Sequence, residues 1–170
     1  MTKNQRARRV AKLCCHCARN AAYYRAGWRN NNISVSEDFW VGANGNFLDL
    51  AVLEWCKLFA DQRGKHHWRK VVPDPSTFLS DLLSAIRVNE QEFEDQCKEI
   101  KTYRDKFVAH LDDEPTMQLP HLSMVIDSVI YLYSIVREEF GSVLNDAPRN
   151  LRSFYRQRFA HARSHYASAT

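Results

Sequence analysis

The residues of this chain best suited to chemistry sit in one short run, Tyr103-Arg104-Asp105-Lys106-Phe107-Val108-Ala109-His110. A guanidinium held in place can grip a phosphate through two parallel hydrogen bonds and stabilise developing negative charge. An imidazole, with a pKa near 6.5, can accept and return protons around neutrality. Whether Arg104 and His110 do either depends on where the helix carrying them points each side chain.

That helix is expected to start at a capping Asn89, with Glu90, Glu92 and Glu94 suiting its positive N-terminal end. At 100° per residue, with Phe93 as zero, Cys97 falls at about +40°, Ile100 about −20°, Phe107 about −40° and Leu111 about 0°. Arg104 then falls at about +20°, in the middle of the apolar face, while Asp105 points away at about +120°. Tyr103 and His110 share a flank at about −80° and −100°. An arginine on an apolar face must find acceptors, because an unpaired buried charge costs several kcal/mol. Glu54 and Asp127 are candidates for a purely structural partner, and His110 could simply favour the negative end of its helix before Asp112 to Pro115 terminate it.

The remaining chain reads as further helices and no strand. Residues 4–28 place Val10, Leu13 or Cys14, Cys17, Ala21, Tyr24 and Trp28 at alternating three- and four-residue steps. Gly27 and the three asparagines 30–32 break this helix, and 33–45 reads as irregular. From a cap at Asn44 or Asn46, Phe47–Ala60 is apolar nearly all round apart from Asp49, Glu54 and Lys57, the pattern of a central helix. Asp74-Pro75 opens a short helix with Phe78, Leu79, Leu82, Leu83 and Ile86. A long stripe from Leu122 to Phe140 stops at Gly141, and Asp146 and Pro148 open a last helix carrying Leu151, Phe159, Ala162 and Tyr166. The expectation is an all-α, single-domain bundle of five or six helices over 1–170, with ragged ends at 1–8 and 167–170.

Arg-Asp-Lys-Phe-Val-Ala-His, followed by Leu111 and Asp112, resembles the Arg-x(4–6)-His signature of the HEPN superfamily. It is most similar to the abortive-infection branch, where Arg-[Asn/Asp]-Lys and Ala-His recur at the end of a bundle helix. The resemblance extends more weakly to Phe47–Ala60 and the all-α layout. It implies a HEPN-like fold, a homodimer and a metal-independent endoribonuclease active in bacterial stress or phage defence, with no cofactor. Arg104 would take the scissile phosphate, His110 would move a proton at the 2′-OH or the leaving 5′-oxygen, and Asp105 would orient the pair. A straight α-helix sets Arg104 and His110 about 120° apart, so either the helix unwinds at His110 or a two-fold dimer brings both pairs into one cleft, and the dimer is the expectation. Family toxins silenced by nucleotidyltransferase partners carry tyrosine two residues after the histidine. Asp112 stands there in this chain, so that control is not carried over, although a protein antitoxin or regulator remains a possible partner. The alternative is a non-catalytic binding module or structural dimer using the same groove for nucleotide, RNA or protein.

Charge is unevenly spread. Residues 1–36 carry eight Lys/Arg and no acid, and residues 149–170 carry five Arg and no acid, leaving eleven basic against all twenty acidic residues between them. The basic ends could form a phosphate-binding surface, with Arg149, Arg152 and Arg156 as RNA contacts, or could pack beside acidic helices. Cys14-Cys15-His16-Cys17, His66-His67 and the pair His161 and His165 invite a metal reading. Cys14 and Cys17 share a helical face that Cys15 and His16 do not, so small core residues are the better expectation, with no metal site. Five cysteines in no disulfide rhythm suit a reducing cytoplasm, and no apolar run is long enough to span a bilayer.

Overall fold

The structure is a computed structural model, and it describes residues 1–30, 32–108 and 119–169. Among these residues there are six α-helices: α1 (Lys3–Ala26), α2 (Asp38–Phe59), α3 (Phe78–Ile86), α4 (Glu90–Tyr103), α5 (Leu122–Phe140) and α6 (Leu151–Ser168). None is long and apolar enough to cross a membrane.

α1 starts earlier than expected because Thr2 and Gln5 form a reciprocal capping box, so the stretch anticipated as ragged is helical from Lys3. Its buried residues are nearly all small, among them Ala7, Val10, Ala11, Cys14, Cys17, Ala18 and Ala21. Small side chains let neighbouring backbones come close, and α2, α5 and α6 all gather around this helix. The central position expected for Phe47–Ala60 is thus taken by α1. α2 packs its own apolar face against α1, α4 and α5 while leaving Leu50 exposed.

The irregular connection expected over 33–45 is partly wrong, since α2 begins at Asp38. Asn44 is no cap but a buried mid-helix hub. Its amide nitrogen donates to the Tyr24 carbonyl and the Tyr166 hydroxyl, both at 2.9 Å, and its oxygen accepts from Trp28 Nε1 at 2.9 Å. Three elements meet there, and Gly27 is what allows it: a Cβ at this position would lie 2.4 Å from the Asn44 amide nitrogen. Just beyond Gly27 a two-residue hairpin pairs Trp28 with Ile33, a strand too short to show alternation in sequence. Asn30 turns it in the left-handed region (φ 49°), which asparagine tolerates.

α3 begins at Phe78, after a turn in which Asp74 bonds Ser76 and Thr77, so Pro75 precedes the helix and does not open it. α5 ends at Gly141 as expected, and α6 is capped by Asn150 and not opened by Asp146 or Pro148. Trp55 is fully buried, stacked on Phe59 and donating to Ser128 Oγ at 2.9 Å, which ties α2 to α5.

His67 closes the end of α2. Its Nε2 lies 3.0 Å from the Phe59 carbonyl and its Nδ1 accepts from the Arg69 amide, so the neutral ring protonated on Nε2 satisfies both. Burial pushes its pKa below the ordinary histidine value, against the bond to Phe59, which favours the charged form. The unfolded chain therefore takes up its proton first as pH falls. The stability contributed by neutral His67 is complete above about pH 6.5 and declines as pH drops toward the lower folded pKa. His16 and His66 are shifted the same way, first by burial. The thermal midpoint is expected to fall between about pH 7 and pH 5, and the His67→Gln variant should lose part of that slope. An identical slope in the variant would remove His67 as its source.

Candidate functional site at the end of α4

α4 is built as the sequence indicates. Asn89 and Glu92 form a capping box, and Phe93 and Ile100 are buried against the bundle. Past Tyr103 the hydrogen bonding changes: Arg104–Val108 form a π-turn, a wider coil that occurs mostly as a single turn and often at functional sites. Angles counted at 100° per residue do not hold beyond that point, and the side chains are redistributed.

Two consequences follow. Tyr103, expected on a flank, is buried, and its hydroxyl donates to Asp49 Oδ1 at 2.7 Å. Burial and then that carboxylate raise its pKa well above the usual tyrosine range. Asp105, expected to point away, instead accepts a hydrogen bond from Arg104 Nε at 2.7 Å.

Arg104 itself lies at the edge of the core with its side chain 16% exposed. Its Nη1 donates to Asp61 Oδ1 at 2.6 Å. The structural partners anticipated for it are engaged elsewhere, Glu54 with Lys57 and Asp127 with Arg152. Asp105 and then Asp61 hold the guanidinium firmly protonated despite partial desolvation. The Cys56 thiol, pushed up to about 12 by burial, sits beside the same guanidinium.

Asp61 is the site residue that the sequence reading missed. It lies just past α2, where its amide still bonds back to the Cys56 carbonyl and its carbonyl accepts from Gly64 at 2.7 Å. A Cβ at Gly64 would come within 2.8 Å of that carbonyl, so the glycine permits the turn that places Asp61. The available signal was a lone carboxylate at the end of an apolar helix, close before a glycine. Asp49 had been visible as a polar exception within Phe47–Ala60, but its tie to Tyr103 depends on two helices meeting. His110 lies outside the described residues, as do Leu111 and Asp112 to Pro115.

A guanidinium clamped by two carboxylates is fixed in direction while keeping further N–H groups on its remaining edge. Asp61 and Asp105 are 41% and 48% exposed, so the cluster opens to solvent on its acidic side. Chemically this is an oriented guanidinium whose charge is more than offset by two carboxylates, so an anion reaches it only by displacing one of them.

The other sequence candidates are dispersed. Cys14 and Cys17 are fully buried, Cys17 donating to the Ala51 carbonyl, and all five thiols are unpaired. Burial raises Cys15 to about 11 and Cys97 to about 12, so these are protonated core thiols. No group of three or more His, Cys, Asp or Glu among the described residues is placed to hold a metal ion. His161 and His165 are exposed with their Nε2 atoms 3.2 Å apart. On α6 the arginines divide: Arg163 donates to the Ala26 and Trp28 carbonyls, Arg152 pairs with Asp127, and Arg158 lies over Phe154. Arg149 and Arg156 are exposed. The chain matches no protein-family model, no curated protein and no solved structure.

Proposed function

We propose that this chain is a HEPN-like, metal-independent endoribonuclease that acts as a homodimer in bacterial stress or phage defence. The observation that supports this reading best is the clamped Arg104 at the start of a π-turn, in the run whose Arg-Asp-Lys and Ala-His resemble the family signature. In the proposed reaction Arg104 binds the scissile phosphate and neutralises charge as the 2′-oxygen attacks phosphorus. His110 takes the 2′-OH proton or protonates the departing 5′-oxygen, and the products are a cyclic phosphate and a free 5′-hydroxyl. Asp105 and Asp61 act as positioning residues through their bonds to Arg104. A two-fold dimer would let Arg104 of one copy work with His110 of the other.

The test is cleavage of varied single-stranded RNAs in EDTA. Wild type should cleave and His110→Ala should not, with an unchanged circular-dichroism spectrum. Sedimentation at tens of micromolar should show a dimer; a monomer that still cleaved RNA would remove the composite site while leaving the chemistry.

A second reading is favoured by the same two carboxylates: Arg104 as a structural arginine in a non-catalytic binding module. Absence of cleavage across many RNAs, with a large loss of stability on removing Arg104, would establish it instead.

A further inference from the structure

Away from the α4 terminus, one face of α1 carries a row of basic residues, the cations Arg8, Lys12 and Arg19 with the neutral ring of His16 between the last two, spaced by four, four and three residues. At a rise of 1.5 Å per residue the row extends for about 16 Å. It forms one wall of a groove of about 570 Å³ whose other wall is the connection between α5 and α6. Among the described residues, Asp146 is the only acidic one lining the groove. Lys12 and Arg19 have no carboxylate partner among the described residues, in contrast to Lys57, Lys98, Arg104 and Arg152.

The far wall is firmly built. The Val143 carbonyl accepts from Arg8 Nε at 3.0 Å, and the Leu144 and Ala147 carbonyls accept from Arg137 at 2.6 and 3.3 Å. The Tyr133 hydroxyl donates to the Pro148 carbonyl. Four carbonyls of the strap 143–148 are therefore already bonded, which leaves little for a peptide backbone to pair with. Val143, Ala147 and Pro148, half-buried over the buried Ala11 and Leu144, instead offer an apolar surface beside the cations. A row of positive charge flanking an apolar wall suits a single nucleic-acid strand, whose phosphates can follow the cations while bases lie against the wall.

We propose that this α1 groove is a strand-binding exosite that holds single-stranded RNA by its phosphates, separate from Arg104. The proposal rests on the reading above only in taking RNA as the ligand. It also moves the main phosphate track from α6, where Arg152 and Arg163 are engaged within the fold, to α1. Arg8 contributes charge while its Nε holds the strap, so the free pair Lys12 and Arg19 is the part to test.

The experiment measures fluorescence anisotropy of a labelled 2′-O-methyl RNA strand, whose blocked 2′-oxygen prevents cleavage, over a salt series with the full chain. Wild type should bind with a steep dependence of log K on log salt. In the double variant Lys12→Gln/Arg19→Gln the slope should flatten by about 1.4, roughly 0.7 for each lost phosphate contact. Should the double variant fold poorly, Lys12→Gln alone should flatten it by about 0.7. An unchanged slope, or no binding by wild type at low salt, overturns the exosite. Displacement of the strand by ATP or by polyglutamate as readily as by unlabelled RNA overturns it too, in favour of a mononucleotide pocket or an acidic protein partner. The two readings fail separately: strand binding that depends on Lys12 and Arg19, without cleavage of ordinary RNA, upholds the exosite and removes the ribonuclease.

Discussion

Arg104→Ala is expected to abolish RNA cleavage while lowering the thermal midpoint only slightly. Removing one preorganised charge-stabilising donor typically costs about 10²- to 10³-fold in rate, and Arg104 is proposed to meet the phosphate directly. The stability effect is set by what the substitution leaves behind. A fully buried carboxylate orphaned by such a change would cost about 3–5 kcal/mol. Here Asp61 and Asp105 are 41% and 48% exposed and can hydrate once the guanidinium is gone. The expected loss is therefore about 1 kcal/mol, a midpoint drop of about 2–4 °C for a chain of this size. Asp61→Asn adds a separate check, because it keeps the shape of the partner and removes its charge. It should slow cleavage by freeing the guanidinium to wander, with less effect on stability than Arg104→Ala. Cleavage that survives Arg104→Ala would end the catalytic assignment. A drop well beyond 4 °C with no cleavage in any variant would identify a structural arginine.

The largest loss of stability should come from Asn44→Ala. Asn44 is 1% exposed, and its amide serves the Trp28 indole N–H, the Tyr24 carbonyl and the Tyr166 hydroxyl together. Alanine leaves the Trp28 indole N–H and the Tyr166 hydroxyl without this partner, while the Tyr24 carbonyl keeps its bond from the Gly27 amide, and each unsatisfied buried group costs about 1–3 kcal/mol. Trp28 is only half-buried and can recover water, whereas Tyr166 is buried, so the combined cost should be about 2–4 kcal/mol and the midpoint should fall by roughly 6–12 °C. Tyr166→Phe removes a single bond from the same hub and should cost about 1 kcal/mol. Equal losses in the two variants would show that the hub is not shared in this way. Gly27→Ala belongs to the same locus, since its methyl group would press on the Asn44 amide.

The sequence by itself determined the helices that are amphipathic along their own length. The stripes of α1, α4 and α5, the Asn89 cap and the stop at Gly141 are local patterns, read from spacing and from residues that satisfy helix ends. It also marked Arg104 as the residue whose charge needed an answer. What it could not supply were contacts between residues distant in the chain. Asn44 reads as a helix cap because asparagine is usually satisfied by local backbone; only the meeting of α1, α2 and α6 turns it into a buried hub. Asp61 is 43 residues from Arg104, and nothing local to either predicts that they touch. The switch from α to π geometry at Arg104 decides where Asp105 and Tyr103 point, and a wheel drawn at one fixed angle is blind to it. The charge asymmetry was plain in composition. Which cations face carbonyls, which face carboxylates and which remain open beside an apolar wall was decided by tertiary packing, because a charge takes its function from the partners within a few ångströms.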